Sequence, residues 1–534
     1  MSDRLAKSAG TVGLAVMTSR ILGLVRDQVM AFLFGLTTAH DAFNIAMRVP
    51  SLVRDLFAEG AMSAAFVPTF TRYWKNEGKE AAFRLGNLVL NGLLVVTTVI
   101  VIVGMLFAEP LLSLLPDEFS GPDGRDKFTL TVDLTRIVLP FLTLVAVAVA
   151  MGGMLNSLRR FFVPALSPAI YNVGMLLSAF ALIPVFGHFG WEPIYAIAVG
   201  TLIGGLGQIL VQIPLLHREG FRYRPIVSFT DPGMREILLL MGPATLGLAA
   251  SQVNIIVNTV LAVGEGDGAV TALALAFRLM YLPIGLFGVS VATAALPEIA
   301  RQVNAGEFDS LRRTISSSLR MMLMMSVPAT VGLMVLASPI IELIFERGAF
   351  DARSTQMTAL ALLGYAPGLI GYSAVKIASP TFYAMKDART PVLISMATIV
   401  LNLVLNLVLV RWYSFQGLAM GTAIAALFNA ACLFFFLSRR IDGIDGRRVM
   451  VATGKILLAS LAMGAAAWFT ENWLNAVLPL LDDQSGWLEV TTRAAIRVFG
   501  AITVGILALV FSAWALRLQE YLDVARRVLG RLRR

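Results

Sequence analysis

Thr18-Ser19-Arg20-Ile21-Leu22-Gly23-Leu24-Val25-Arg26-Asp27 sets two arginines inside the first long apolar stretch of the chain. The second such stretch holds Arg48 and Arg54, with Asp41, Asp55 and Glu59 around them. A cation at the middle of a bilayer helix costs roughly 2.5–3.5 kcal/mol on insertion scales. Several together require a wet, enclosed cavity and an anion able to accept guanidinium forks. Arginine in place of lysine suits planar, two-point recognition of phosphate oxygens.

Composition sets the class. Of 534 residues, 57% are apolar and 14% charged, and the mean hydropathy is +0.77. Apolar runs long enough to cross a bilayer recur from end to end, so the chain reads as an all-α polytopic membrane protein. Fourteen transmembrane helices are expected, over 8–35, 41–73, 82–108, 129–158, 163–187, 191–216, 233–263, 269–302, 309–337, 354–385, 391–411, 415–438, 449–475 and 490–518. The N-terminal segment lacks a small-residue cleavage site and reads as the first helix. One cysteine, Cys432, excludes a disulfide framework, and His40, His188 and His217 are scattered at helix ends, which argues against a metal site.

The net charge of +9 is topological. Alternate loops carry Arg72/Lys75/Lys79/Arg84, Arg159/Arg160, Arg218/Arg222/Arg224, Arg301/Arg312/Arg313, Lys386/Arg389 and Arg439/Arg440/Arg447/Arg448, and the tail adds five more arginines from Arg526 on. The opposite loops are acidic: Asp117/Glu118/Asp123, Glu265/Asp267 and Asp482/Asp483/Glu489. The positive-inside rule then puts both termini in the cytoplasm and removes nucleic acid as a partner.

An internal repeat is visible. Val67-Pro68-Thr69-Phe70-Thr71-Arg72 parallels Leu296-Pro297-Glu298-Ile299-Ala300-Arg301, and Pro164 after Arg159-Arg160 parallels Pro391 after Lys386 and Arg389. Ala198-Val199-Gly200-Thr201 likewise parallels Ala419-Met420-Gly421-Thr422. Two six-helix lobes follow, 1–225 and 226–446, related by a pseudo-two-fold axis along the membrane normal, with two extra helices and a basic tail over 447–534. Two such lobes are what alternating access requires.

Arg20 and Asp27 share a face of the first helix with Gly23 between them, which admits a ligand or a neighbouring helix. On the second span Asp41 and Arg48 share a face, and Pro50 kinks the helix near its middle. Arg278 is the matching cation of the second lobe. The plainer reading is that these charges are salt bridges that fix helix packing. Asn258, Asn402, Asn406 and Thr422 form a candidate cation site for Na⁺, against the alternative of interhelical hydrogen bonding. Gly204-Gly205-Leu206-Gly207 reads as helix packing, and no Walker motif is present, which argues against direct ATP drive.

With Ser19-Arg20-Ile21-Leu22-Gly23, Arg26-Asp27, Asp41-Ala42-Phe43, Arg48-Val49-Pro50-Ser51-Leu52-Val53-Arg54, Phe57-Ala58-Glu59-Gly60-Ala61 and Ala65-Phe66-Val67-Pro68 in view, the chain resembles the MurJ (MviN) lipid II flippase family. That family belongs to the multidrug/oligosaccharidyl-lipid/polysaccharide exporter superfamily. Ser51 and Asp55 depart from its usual Asn and second Arg.

The resemblance implies a non-enzymatic transporter that moves lipid II between leaflets of the bacterial inner membrane for peptidoglycan synthesis, without a cofactor. Coupling to Na⁺ or H⁺, or to the membrane potential, is open, and cell-wall synthesis or division proteins are candidate partners. It implies that Arg20, Arg26, Arg54 and Arg278 line a cationic cavity for the pyrophosphate and sugar head, with Ser19, Asp41 and Glu59 beside them. It also implies a groove bordered by the last two helices for the lipid tail. The alternatives are a carrier of another polyprenyl-diphosphate saccharide and a non-transporting scaffold of the cell-wall machinery.

Overall fold

The structure, a computed structural model, describes residues 2–55, 65–115, 125–478, 487–518 and 521. Among them all regular structure is helical, and packing divides the chain into two compact units, Met1–Thr271 and Ala272–Arg534. The first unit holds α1 (Ser2–Phe34), α2 (Thr38–Ala46), α3 (Arg48–Asp55), α4 (Val67–Asn76), α5 (Lys79–Leu106) and α6 (Ala108–Leu112). It continues through α7 (Arg125–Val138), α8 (Phe141–Ser157), α9 (Phe162–His188), α10 (Pro193–Leu210), α11 (Ile213–Arg218) and α12 (Pro232–Val263). Helix α13 (Ala269–Pro283) begins in the first unit and runs on into the second. There it passes through a π-turn at Ile284–Gly288 into α14 (Val289–Ala305), then α15 (Phe308–Val335), α16 (Ala337–Phe345), α17 (Ala352–Tyr365) and α18 (Gly368–Ala384). The unit closes with α19 (Arg389–Tyr413), α20 (Phe415–Arg440), α21 (Gly446–Val477) and α22 (Trp487–Ala515).

Among the described residues, ten helical segments are long and apolar enough to cross a membrane, and the α17–α18 pair, bent by 43°, makes an eleventh. That bend falls at Pro367, which has no N–H to continue the ladder. The expected single span over 41–73 is instead interrupted at Met47, between α2 and α3. Pro50 explains the break: it cannot donate to the carbonyl of Ala46, and its ring crowds that position. Asp41 and Arg48 therefore do not share a continuous helix face.

The cores are aromatic and aliphatic. In the first unit, Phe66, Phe70, Met154 and Leu155 are sealed beneath α4, α5 and α8, and Phe43, Leu134, Phe141 and Tyr171 form a second cluster. The glycine run in α10 serves packing, as its composition predicts. A Cβ on Gly174 of α9 would lie 2.5 Å from the Gly204 Cα. A Cβ on Gly200 would lie 2.6 Å from the Ser178 Cβ. In the second unit Gly421 sits in a similarly tight crossing, its Cα facing the Asn406 side chain.

Candidate functional site

Arg26 lies on the seam of α1 with α9. Arg26 directs Nε and Nη2 to the Asp27 Oδ1 (3.2 and 2.9 Å) and donates from Nη1 to the Asn172 Oδ1 at 3.0 Å. Its guanidinium carbon stands 5.8 Å from the Tyr171 ring centre. Asn172 also donates to the Ser19 carbonyl (3.3 Å), and its Nδ2 sits 3.7 Å from where a Gly23 Cβ would be. The gap left by Gly23 thus receives the neighbouring helix. Arg20 is exposed and makes no ion pair among the described residues. Arg54, half-buried, is bound to its sequence neighbour Asp55 (Nε to Oδ1, 3.0 Å). Glu59 lies outside the described residues.

Asp41 is placed differently from the head-group role expected of it. It is fully enclosed, and both oxygens are occupied. Oδ2 accepts from the Gly268 N–H (2.8 Å) and Lys127 Nζ (3.3 Å), and Oδ1 accepts from the Thr271 N–H (3.0 Å) and hydroxyl (2.7 Å). Asp41 therefore caps the first turn of α13, where the helix dipole favours an anion. Lys127, itself buried, also donates to Asp267 Oδ1 at 2.8 Å, and Asn44 donates to the Thr271 hydroxyl at 2.9 Å. Both Asp41 oxygens are thus taken up by protein donors. Lys127 escaped the sequence reading; its one signal there is a lysine entering a span from a mainly acidic loop that also holds Arg125.

In the second unit Arg278 is exposed beside an aromatic group, with Phe277 packed on Tyr281, Tyr365 and Tyr372 at ring separations of 5.9, 5.4 and 6.1 Å. Asn402 and Asn406 are buried, and Asn406 Nδ2 donates to the Asn402 Oδ1 at 3.1 Å. The Thr422 hydroxyl bonds back to the Leu418 carbonyl at 2.8 Å, and Asn258 lies in the first unit.

A buried triad of charges was not foreseen. Arg497 of α22 binds Glu471 of α21 at 2.6 Å and Glu342 of α16 at 3.5 Å. Two carboxylates share one guanidinium. Burial, with Glu346 and Glu471 nearby, raises the Glu342 carboxyl against the pull of Arg497 to about 7. A carboxyl whose folded pKa exceeds its unfolded value adds stability below the unfolded pKa and loses it as pH rises through the folded one. Glu342→Gln is therefore expected to melt higher than the parent at pH 8 and to lose that advantage at pH 5. An equal offset at both pH values in a thermal-unfolding assay would refute this assignment.

Residues 30–481 match the family described as "Lipid II flippase MurJ". The chain belongs to this family. A relative from Vibrio cholerae serotype O1, named "Probable lipid II flippase MurJ", is 33% identical over 95% of each chain. One of the same name from Haemophilus influenzae is 35% identical over 85% of this chain and 90% of its own. A solved structure titled "Lipid II flippase MurJ, inward closed conformation" superposes with a TM-score of 0.76 at 26% identity, covering 97% of this chain and 99% of that one. An inward-facing multidrug-resistance MATE transporter of the MOP superfamily shares the fold at 16% identity, with a TM-score of 0.63 over 79% of this chain and 94% of its own.

Proposed function

We propose that this chain carries lipid II, a polyprenyl-diphosphate glycolipid, from the inner to the outer leaflet of the bacterial cytoplasmic membrane by alternating access. The observation that carries the anion-binding part is Arg20: an exposed guanidinium on an apolar helix, with no carboxylate beside it among the described residues. Family membership supplies the lipid; the arginines supply the chemistry that would hold its diphosphate. Arg26 and Arg54 each spend one face on a neighbouring carboxylate and keep further N–H groups for phosphate oxygens. Arg278 would complete the set, with Ser19 and Glu59 as polar neighbours.

Fourteen crossings result if α1, the interrupted α2–α4 segment and α12 join the eleven segments described above. Both termini then face the cytoplasm, and the lobes are 1–225 and 226–446 with the pair 447–534 beside them. Head-group binding relieves repulsion among the arginines and lets the lobes close behind the lipid. The membrane potential, or Na⁺ with Asn258, Asn402, Asn406 and Thr422 as its candidate ligands, or H⁺, resets the cycle. Cell-wall synthases are the proposed recipients of the lipid.

The test is leaflet exchange of a labelled polyprenyl-diphosphate disaccharide by the purified protein in liposomes, beside its monophosphate analogue. Exchange at least about tenfold faster for the diphosphate is expected, equivalent to about 1.4 kcal/mol. Equal rates would remove the guanidinium-fork argument, and no exchange of either lipid would favour the scaffold reading.

A further inference from the structure

A basic pocket remains that involves none of the arginines above. It is a cavity of about 270 Å³ between the first turns of α5, which contribute Lys79, Arg84 and Asn87, and the chain from Gly220 to Arg224. Its construction is specific. After α11 the chain runs without helix over 221–228, and two buried asparagines of α5 hold it. Asn87 Nδ2 donates to the Arg222 carbonyl (3.0 Å), and its Oδ1 accepts from the Arg224 N–H (2.9 Å). Asn91 donates to the carbonyls of Arg224 (2.7 Å) and Ile226 (3.0 Å) and accepts from the Tyr223 hydroxyl (2.7 Å). In extended chain, residues two apart point the same way, so this strapping brings Arg222 and Arg224 to one wall. Gly220 has a φ of +92°, and a Cβ there would lie 2.5 Å from the Lys79 Nζ. Only glycine lets Lys79 lie where it does.

The charges in this pocket are not neutralised. Two neighbouring cations of the first unit are paired: Arg72 with Glu236, and Arg160 with Glu219 at 2.7 Å. Among the described residues Lys79, Arg222 and Arg224 have no carboxylate partner, and Arg84 reaches Asp231 through one nitrogen at 3.3 Å. Glu80 is the one acid in the wall. Gly78, at the start of this 28-residue helix, offers no side-chain cap, so the positive end of the α5 dipole adds to the same field. Four cations beside one wall acid leave a net positive charge, and an anion between them lowers the cost of their repulsion.

The geometry points to a binding site for a phosphate-bearing anion in this pocket. A phospholipid headgroup and a free phosphate share that chemistry. Tyr223, Val227 and Phe229 on the same strap are exposed and would meet acyl chains, which favours the headgroup.

The experiment is thermal unfolding of the full chain in neutral detergent, titrated with phosphatidylglycerol, with phosphatidylcholine, or with inorganic phosphate. Phosphatidylglycerol should raise the melting temperature and phosphatidylcholine should not. R222Q/R224Q, which keeps every backbone hydrogen bond of the strap, should weaken the apparent affinity at least about tenfold. K75Q/R218Q removes the same charge from the same unit outside the pocket and should change affinity less than about twofold. A response to inorganic phosphate with the same R222Q/R224Q sensitivity would assign the site to a soluble anion; a response to phosphatidylglycerol alone would assign it to lipid. No stabilisation by either anion, or equal losses in the two double variants, would overturn the proposal.

Discussion

Arg20→Ala is expected to lower lipid exchange roughly 10- to 150-fold, with no measurable loss of stability. The reasoning is one of missing partners. Arg20 is exposed and has no ion pair among the described residues, so its removal leaves no buried group unsatisfied. What is lost is a charge-assisted contact to phosphate, worth about 1.5–3 kcal/mol, which sets that range. Arg20→Lys keeps a point charge and loses the fork, so partial activity should return. Arg26→Ala is the weaker test, because it takes the guanidinium from buried Asp27 and from the Asn172 oxygen and so mixes folding with binding. Growth of cells depleted of their own flippase, with the variant as sole source, provides a second readout. Normal growth on Arg20→Ala together with unchanged exchange would end the head-group role of this residue.

Asp41→Ala should act in the opposite manner, through structure first. The substitution leaves the N–H groups of Gly268 and Thr271 without their acceptor and takes one of two carboxylates from buried Lys127. Breaking a buried pair by removing one partner costs about 3–5 kcal/mol. Because Lys127 retains Asp267, the loss should fall near the lower end, about 3 kcal/mol. Asp41→Asn keeps an acceptor for one N–H and should be milder. Denaturation of the purified variants measures both, and a melting temperature for Asp41→Ala equal to the parent's would show that the knot does not hold the first turn of α13.

What was legible in the sequence had local causes. Hydropathy runs marked the helices, and the close glycines of α10 announced a helix crossing because a missing Cβ is visible in the residue itself. Pro50 announced a distortion, but its place, a break at Met47 between α2 and α3, needed coordinates. By type the asparagines of α19 suit ion ligation or packing alike; the structure has them bonded to each other, with Asn406 set against Gly421. The sequence reading missed Asn172, Lys127 and Arg497. Each acts through a partner remote along the chain: 146 residues for Arg26–Asn172, 86 for Lys127–Asp41 and 155 for Arg497–Glu342.

The sequence alone determined that this is a helical membrane protein with arginines inside its apolar stretches, and which family it resembles, because helix formation and hydropathy depend on residue type and near spacing. Only the tertiary structure decided which of those charges are already satisfied. Arg26 and Asp41 look alike as intramembrane ions, yet one reaches a neighbouring helix through an amide and the other is sealed against backbone N–H groups. Pairing is a matter of distance in space, and folding alone sets that distance.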